Sequence, residues 1–134
     1  MSGVIAIRYI LSKNSALVAV VPATKIMAGV IPIATVLPAI SVTHISTIER
    51  MTVAMTGGVL ATERVQVTVQ AKSYAAQKSI LELVRQACAH QRASINGVAV
   101  DSILPEGAGP DLHDDDLTIF MQSRDFIVKF IEST

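Results

Sequence analysis

Residues 64–72, Arg-Val-Gln-Val-Thr-Val-Gln-Ala-Lys, alternate polar and apolar side chains without a fault. Val65, Val67, Val69 and Ala71 share one side; Arg64, Gln66, Thr68, Gln70 and Lys72 share the other. Period two in β-branched residues defines a strand with one buried face. The period changes directly afterwards. Ala76, Ile80, Leu83, Val84 and Ala87 fall at helical spacing, with Lys78, Glu82, Arg85 and Gln86 off that stripe. Ser73 is placed to cap this helix, because its hydroxyl can accept from a free first-turn amide. Neither apolar surface can be buried alone, so the helix must lie across the sheet.

The remaining segments follow from this pair. Val4–Leu11 reads as a short first helix with Ser2 as its N-cap, and Asn14 or Ser15 caps a second that Pro22 stops. Ala23–Leu37 mixes Ile and Val with Gly and Pro, which predicts an extended connection lying on the core or against a neighbouring subunit. Pro38 opens a strand that continues to Met55; Gly57-Gly58 turns it back into the strand at 59–72, so residues 39–72 form one long β-hairpin. After the helix, Asn96-Gly97 marks a turn and Val98–Ile103 a short strand. Residues 105–116 read as a polar loop, and 117–132 as an apolar extended segment broken by a bulge at Gln122–Arg124. The expected fold class is α/β of the α+β kind: a mostly antiparallel β-sheet with a long hairpin, packed against a central helix and short N-terminal helices. A length of 134 residues suits a single domain spanning 1–134.

The formal net charge is zero but unevenly distributed. Residues 1–100 hold nine Lys/Arg against three acids; residues 101–134 hold two against eight. Either the fold mixes the two sets over one surface, or it keeps them as opposed poles that suit like molecules packing together. The single cysteine, Cys88, permits no internal disulfide or thiolate cluster and reads as a small core hydrophobe. Residues 1–11 carry Arg8 and no cleavage pattern, so no secretory signal is expected. The uncharged run 26–42 contains Gly29, Pro32 and Pro38 and is shorter than the roughly 20 residues that span a bilayer, so a cytosolic product without membrane association is expected.

Chemistry is sparse. Asp111-Leu112-His113-Asp114-Asp115-Asp116 is the one ionisable cluster, and it matches neither an EF-hand nor a zinc spacing. A solvated or partner-facing loop is the expectation, with a small metal-dependent enzyme using Asp111–Asp116 as the competing reading. No nucleophile elbow, phosphate loop or Cys–His dyad is present, and the dispersed basic residues argue against sequence-specific nucleic-acid binding. Neither a catalytic nor a cofactor site is expected. The candidate interface is the hairpin tip, Met51, Val53, Met55, Val59 and Leu60, together with Asp114, Asp115 and Asp116. Apolar residues grouped on a projecting ribbon mark a partner surface, and methionine adapts to more than one neighbour.

The order of features resembles a known family. Lys25-Ile26 precedes a Gly/Pro-rich connection (Gly29-Val30-Ile31-Pro32), and the strand Leu37-Pro-Ala-Ile-Ser-Val42 follows it. An Arg-Val-Gln-Val strand, the helix start Ser73-Tyr-Ala-Ala76 and the strand Arg124-Asp-Phe-Ile-Val128 complete the set. This resembles the tail-completion, or tail-terminator, proteins of long-tailed bacteriophages and related prophages. The resemblance implies a virion structural protein, assembled in the host cytoplasm and placed at the head-proximal end of the tail. It implies a homo-oligomer, a hexameric ring, that caps the tube of major tail protein and docks the neck or stopper protein, with DNA passing through its lumen. It implies no catalytic residues. A head–tail stopper or adaptor, and a ligand-binding α/β domain, are the alternatives.

Overall fold

The computed structural model describes residues 2–32, 35–50, 59–89, 93–95, 98–114 and 118–132. Two layers are present, a seven-stranded sheet and a helical layer on one of its faces. The strands are β1 (Ile26–Ala28), β2 (Ala39–Arg50), β3 (Val59–Ala71), β4 (Ala93–Ile95), β5 (Val98–Ala108), β6 (Leu112–Asp114) and β7 (Ile119–Glu132). The helices are α1 (Ser2–Lys13), α2 (Ser15–Val18) and α3 (Tyr74–Cys88). The sheet runs β1-β2-β3-β7-β5-β4, with β6 also paired to β7. All pairings are antiparallel except that of β1 with β2.

The alternating stretch behaves as its pattern requires. Ala61, Glu63, Val65, Val67, Val69 and Ala71 are fully buried, and the even-numbered residues from 60 to 70 are half-buried. β2 and β3 form the expected hairpin, with Ala39 facing Gln70 and Arg50 facing Leu60. It is not a free ribbon: β7 pairs with β3 over its whole length, from Val59↔Glu132 to Ala71↔Phe120. Residues 51–58, the expected tip and its Gly57-Gly58 turn, lie outside the described residues, as does Asn96-Gly97.

Ser73 caps α3 by accepting the Ala76 amide at 3.2 Å, and Asn14 caps α2 through the Leu17 amide at 3.0 Å. The face of α3 turned to the core is rotated from the expected stripe. Gln77, Ile80, Leu81, Val84, Ala87 and Cys88 are buried, while Leu83 is half-buried at the margin of the core. The reason is that α3 has α1 and α2 beside it as well as the sheet beneath it, so its buried arc is wider than one stripe. Ser2 is the first residue of α1, not a residue preceding it.

Three expectations for the second half are corrected. β5 continues through Pro105 to Ala108, absorbing two register shifts, and residues 112–114 form β6, so 105–116 is not one loop. β4 was not foreseen. β7 carries no bulge at 122–124; its register against β3 is unbroken. Gln122 and Arg124 share the inward face with Phe126, Val128 and Phe130, and the Gln122 amide is satisfied there by Lys78 Nζ and the Gly109 carbonyl. The irregular connection also contains β1, which breaks off at Gly29 in the left-handed region, φ 92°.

A carboxyl side chain is buried within the apolar face of β3. Glu63 has no exposed surface, and its Oε2 accepts the Val4 amide at 3.1 Å in the first turn of α1. A carboxylate there satisfies a free amide and lies at the positive end of the helix. Gly3 permits the approach, since a Cβ at that position would lie 2.6 Å from the same oxygen.

Two outcomes follow in urea denaturation. Leu81→Ala should lose ~2–5 kcal/mol, as a buried leucine does, and Leu83→Ala distinctly less; the reverse order would contradict the rotated stripe. Glu63→Ala should cost about 1–3 kcal/mol by stranding a buried amide, and Glu63→Gln, which keeps an acceptor, should cost less.

Candidate assembly surfaces

The sequence-predicted interface residues fall in different places. Val59 and Leu60 begin β3, where Leu60 is half-buried between Arg50 and Ile131 of the flanking strands. Asp114 ends β6 opposite Ile119, near the other end of the sheet. The structure therefore separates Asp114 from Leu60 by the length of β3, and the two do not form one surface. Met51, Val53, Met55, Asp115 and Asp116 lie outside the described residues.

The segment 109–114 is strapped to α3. Lys78 Nζ donates to Asp111 Oδ1 and to Gln122 Oε1, each at 2.6 Å, and the Tyr74 hydroxyl donates to Asp111 Oδ2 at 2.9 Å. The His113 ring stacks on Phe120 at 4.1 Å, and Tyr74 meets Phe120 edge-on at 6.4 Å. Hydrogen bonding to Lys78 holds the Asp111 carboxyl below its usual range, and the same bond holds the Lys78 ammonium above its own. Asp111, the first acid of the sequence cluster, is thus engaged in a structural bond. Among the described residues, no group of three or more His, Cys, Asp or Glu is placed to hold a metal ion.

The sheet face away from the helices is polar at its centre. Arg64 Nε and Nη2 both donate to Asp125 Oδ2 at 2.8 Å, Gln66 Nε2 reaches Oδ1 at 3.3 Å, and the Thr68 and Ser123 hydroxyls meet at 2.8 Å. Glu106 stands 4.0 Å from Arg64. These are cross-strand pairs, worth roughly 0.2–1 kcal/mol each. At these sites acids of the last third meet a base of the first two thirds within one chain, as the mixed-surface reading requires. At one end of this face, Ile31, Val36 and Leu37 with Gln70, Ile119 and Met121 line an open groove of about 550 Å³.

Sequence reasoning missed the Lys78–Asp111 strap and the role of Glu63. Glu63 does carry a signal, being the one charge on the buried parity of β3. Cys88 is buried as expected, and burial pushes its thiol up to about 12, which keeps it from acting as a nucleophile. No described helix is long and apolar enough to cross a membrane.

No protein-family model matches the chain, and a search of curated proteins finds no relative. Among solved structures, the chain is similar to a component of the virion of a native gene transfer agent particle. The two are 14% identical with a TM-score of 0.77, over 95% of this chain and 92% of that one. At that identity the likeness shows a shared fold, and it extends over nearly the whole of both chains.

The strap should be pH-sensitive at both ends. The depressed Asp111 pKa gives a contribution present above the ordinary carboxylate range and lost as pH falls through the lowered value. The raised Lys78 pKa gives one present below the ordinary lysine value and lost as pH rises through the raised one. The protection factor of the Gly109 amide, which bonds the Ser123 carbonyl, should fall as pH drops through the lowered Asp111 value, and Asp111→Asn should lower it at neutral pH as well. Unchanged exchange in that variant would remove the strap from the account.

Proposed function

We propose that this chain is a virion structural protein of a long-tailed, phage-like particle, and specifically its tail terminator. The observation that carries the reading is the shared fold with a gene transfer agent virion component along 95% of the chain. The sequence resemblance to tail-completion proteins supports it independently. In this reading residues 1–134 act as one domain, and six copies form a ring on the head-proximal end of the tail. One side of the ring meets the major tail tube protein and the other the neck or stopper protein, with DNA passing through the lumen. The chain acts through surfaces and carries out no catalysis. Its buried thiol and its strapped Asp111 are in keeping with that.

Deletion of the gene tests the role. Loss of a terminator gives tails of uncontrolled length that fail to join heads, seen by electron microscopy. Loss of a stopper or adaptor, the alternative within the class, gives tails of normal length that stay unjoined. Particles of wild-type form and number would overturn both.

The tip is tested separately. Val53→Asp and Met55→Asp should leave a folded chain with unchanged circular dichroism and abolish tail joining. Unfolding in those variants would instead assign the tip to the chain's own core.

A further inference from the structure

Most of the hydrogen-bonding rim of the sheet is protected. β1 is three residues long, and Arg8 Nε donates to its Ile26 carbonyl at 3.0 Å. The rim of β5 is interrupted by register shifts at Val100/Ser102 and Pro105/Gly107, by Pro105, which has no amide proton, and by exposed Asp101 and Glu106. These are the devices by which edges avoid adding strands. β2 beyond residue 42 has little of the kind. The Val42 carbonyl accepts Gly29 N, and from Thr43 onward β2 pairs, among the described residues, with β3 alone. All six residues 44–49 are exposed, including Ile45 at 48% and Ile48 at 56%. The segment Thr-His-Ile-Ser-Thr-Ile has no Lys and no Pro, and one register shift at His44/Ser46. Its composition favours strand pairing.

The outline of the sheet says what fits there. Across the level of β1, the registers run Ala28, Val42, Val67, Arg124, Ala108: five strands, β1 to β5. Across the level of β4 they run Glu49, Ala61, Phe130, Val100, Ala93: again five strands, β2 to β4. One end of the sheet is displaced by one strand relative to the other. The notch beside β2 therefore has the complement of its shape on the opposite side of the same molecule, where β4 projects beyond β5.

We propose that this notch is the seam between copies of the chain: the open half of β2 takes up the outer edge of β4 from a second copy, and β1 faces the lower edge of that copy's β5. From the strand directions, the β2–β4 contact is parallel, while β1 and the interrupted rim of β5 run antiparallel and abut without a ladder. Each copy offers a different surface on each side, so the association is head-to-tail and closes into a ring when the rotation permits. It satisfies those outward-pointing backbone groups of β2 that lie opposite β4, and it sets a second copy beside Ile45 and Ile48. This deepens the proposed function and rests on its ring; a two-fold β2–β2 dimer is the competing outcome, and it leaves the β4 step empty.

The test uses the full chain. Native mass spectrometry and light scattering should show a closed oligomer larger than a dimer. Hydrogen exchange of amides 43–49 should be slowed at least about tenfold in the oligomer relative to diluted monomer, as in pairing of an open edge. Ile45→Lys with Ile48→Lys should remain folded and lose the oligomer. An oligomer in which 43–49 exchange as freely as in the monomer overturns the seam while leaving the ring. A dimer, or a monomer at every concentration, overturns the self-pairing, and the virion role is then still read by the gene deletion. If the double variant does not fold, exchange on the wild-type chain decides alone.

Discussion

The ladder between β3 and β7 is the contact on which the rest of the molecule depends. It joins residues 49 to 73 positions apart in thirteen consecutive pairs, from Ala71↔Phe120 to Val59↔Glu132. It places the acidic last third of the chain beside the basic middle, which is why Arg64 meets Asp125 and a chain of two opposed halves folds without charged poles at those sites. It also makes β7 the strand that both β5 and β6 pair with. Pairing at such separation is costly in loop entropy and is supported by the apolar face that the two strands share, where Ala61 and Val65 lie opposite Phe130 and Phe126, with Val67, Val69 and Val128 on the same face.

The helical layer is held to that sheet by apolar burial and by two polar anchors. Val4, Ile7 and Leu11 of α1 are buried at helical spacing, and Glu63 meets the start of the helix from below. Lys78 of α3 bonds both Gln122 in β7 and Asp111 in the connection before β6. The two anchors differ in kind. Glu63 is a fully buried carboxylate whose removal exposes a donor to an apolar interior, whereas Lys78–Asp111 is open to water and acts mainly to choose one position for a loop.

The packed interior leaves only the margins of this fold open to other molecules. Its interior is filled with Val, Ile, Leu, Ala and Phe, and its one thiol is sealed within it. Among the described residues, what remains available to other molecules is an open groove at one end of the sheet and a step in its rim. A sheet with a helical layer on one face keeps these separate surfaces on one frame, and the fold is shared with a gene transfer agent virion component.

Sequence alone determined what depends on neighbours along the chain. The alternation at 64–72, the change of period at Ser73, the Ser73 and Asn14 caps and the pairing of β2 with β3 as a hairpin all follow from local side-chain order, and each stands in the structure. The resemblance to tail-completion proteins likewise rests on that local order. Tertiary structure decided what depends on partners distant in sequence. Gln122 and Arg124 read as a break because polar residues interrupt an apolar run; Lys78 and Gly109, brought alongside by the fold, satisfy the Gln122 amide and let the strand continue. Residues 105–114 read as loop because proline, glycine and aspartate dominate them; β7 supplies the ladder that makes strands of most of them. Leu81 replaced Leu83 in the core because α1 and α2 lie beside α3. A period reports one buried face, and only the packed neighbours determine how wide that face is.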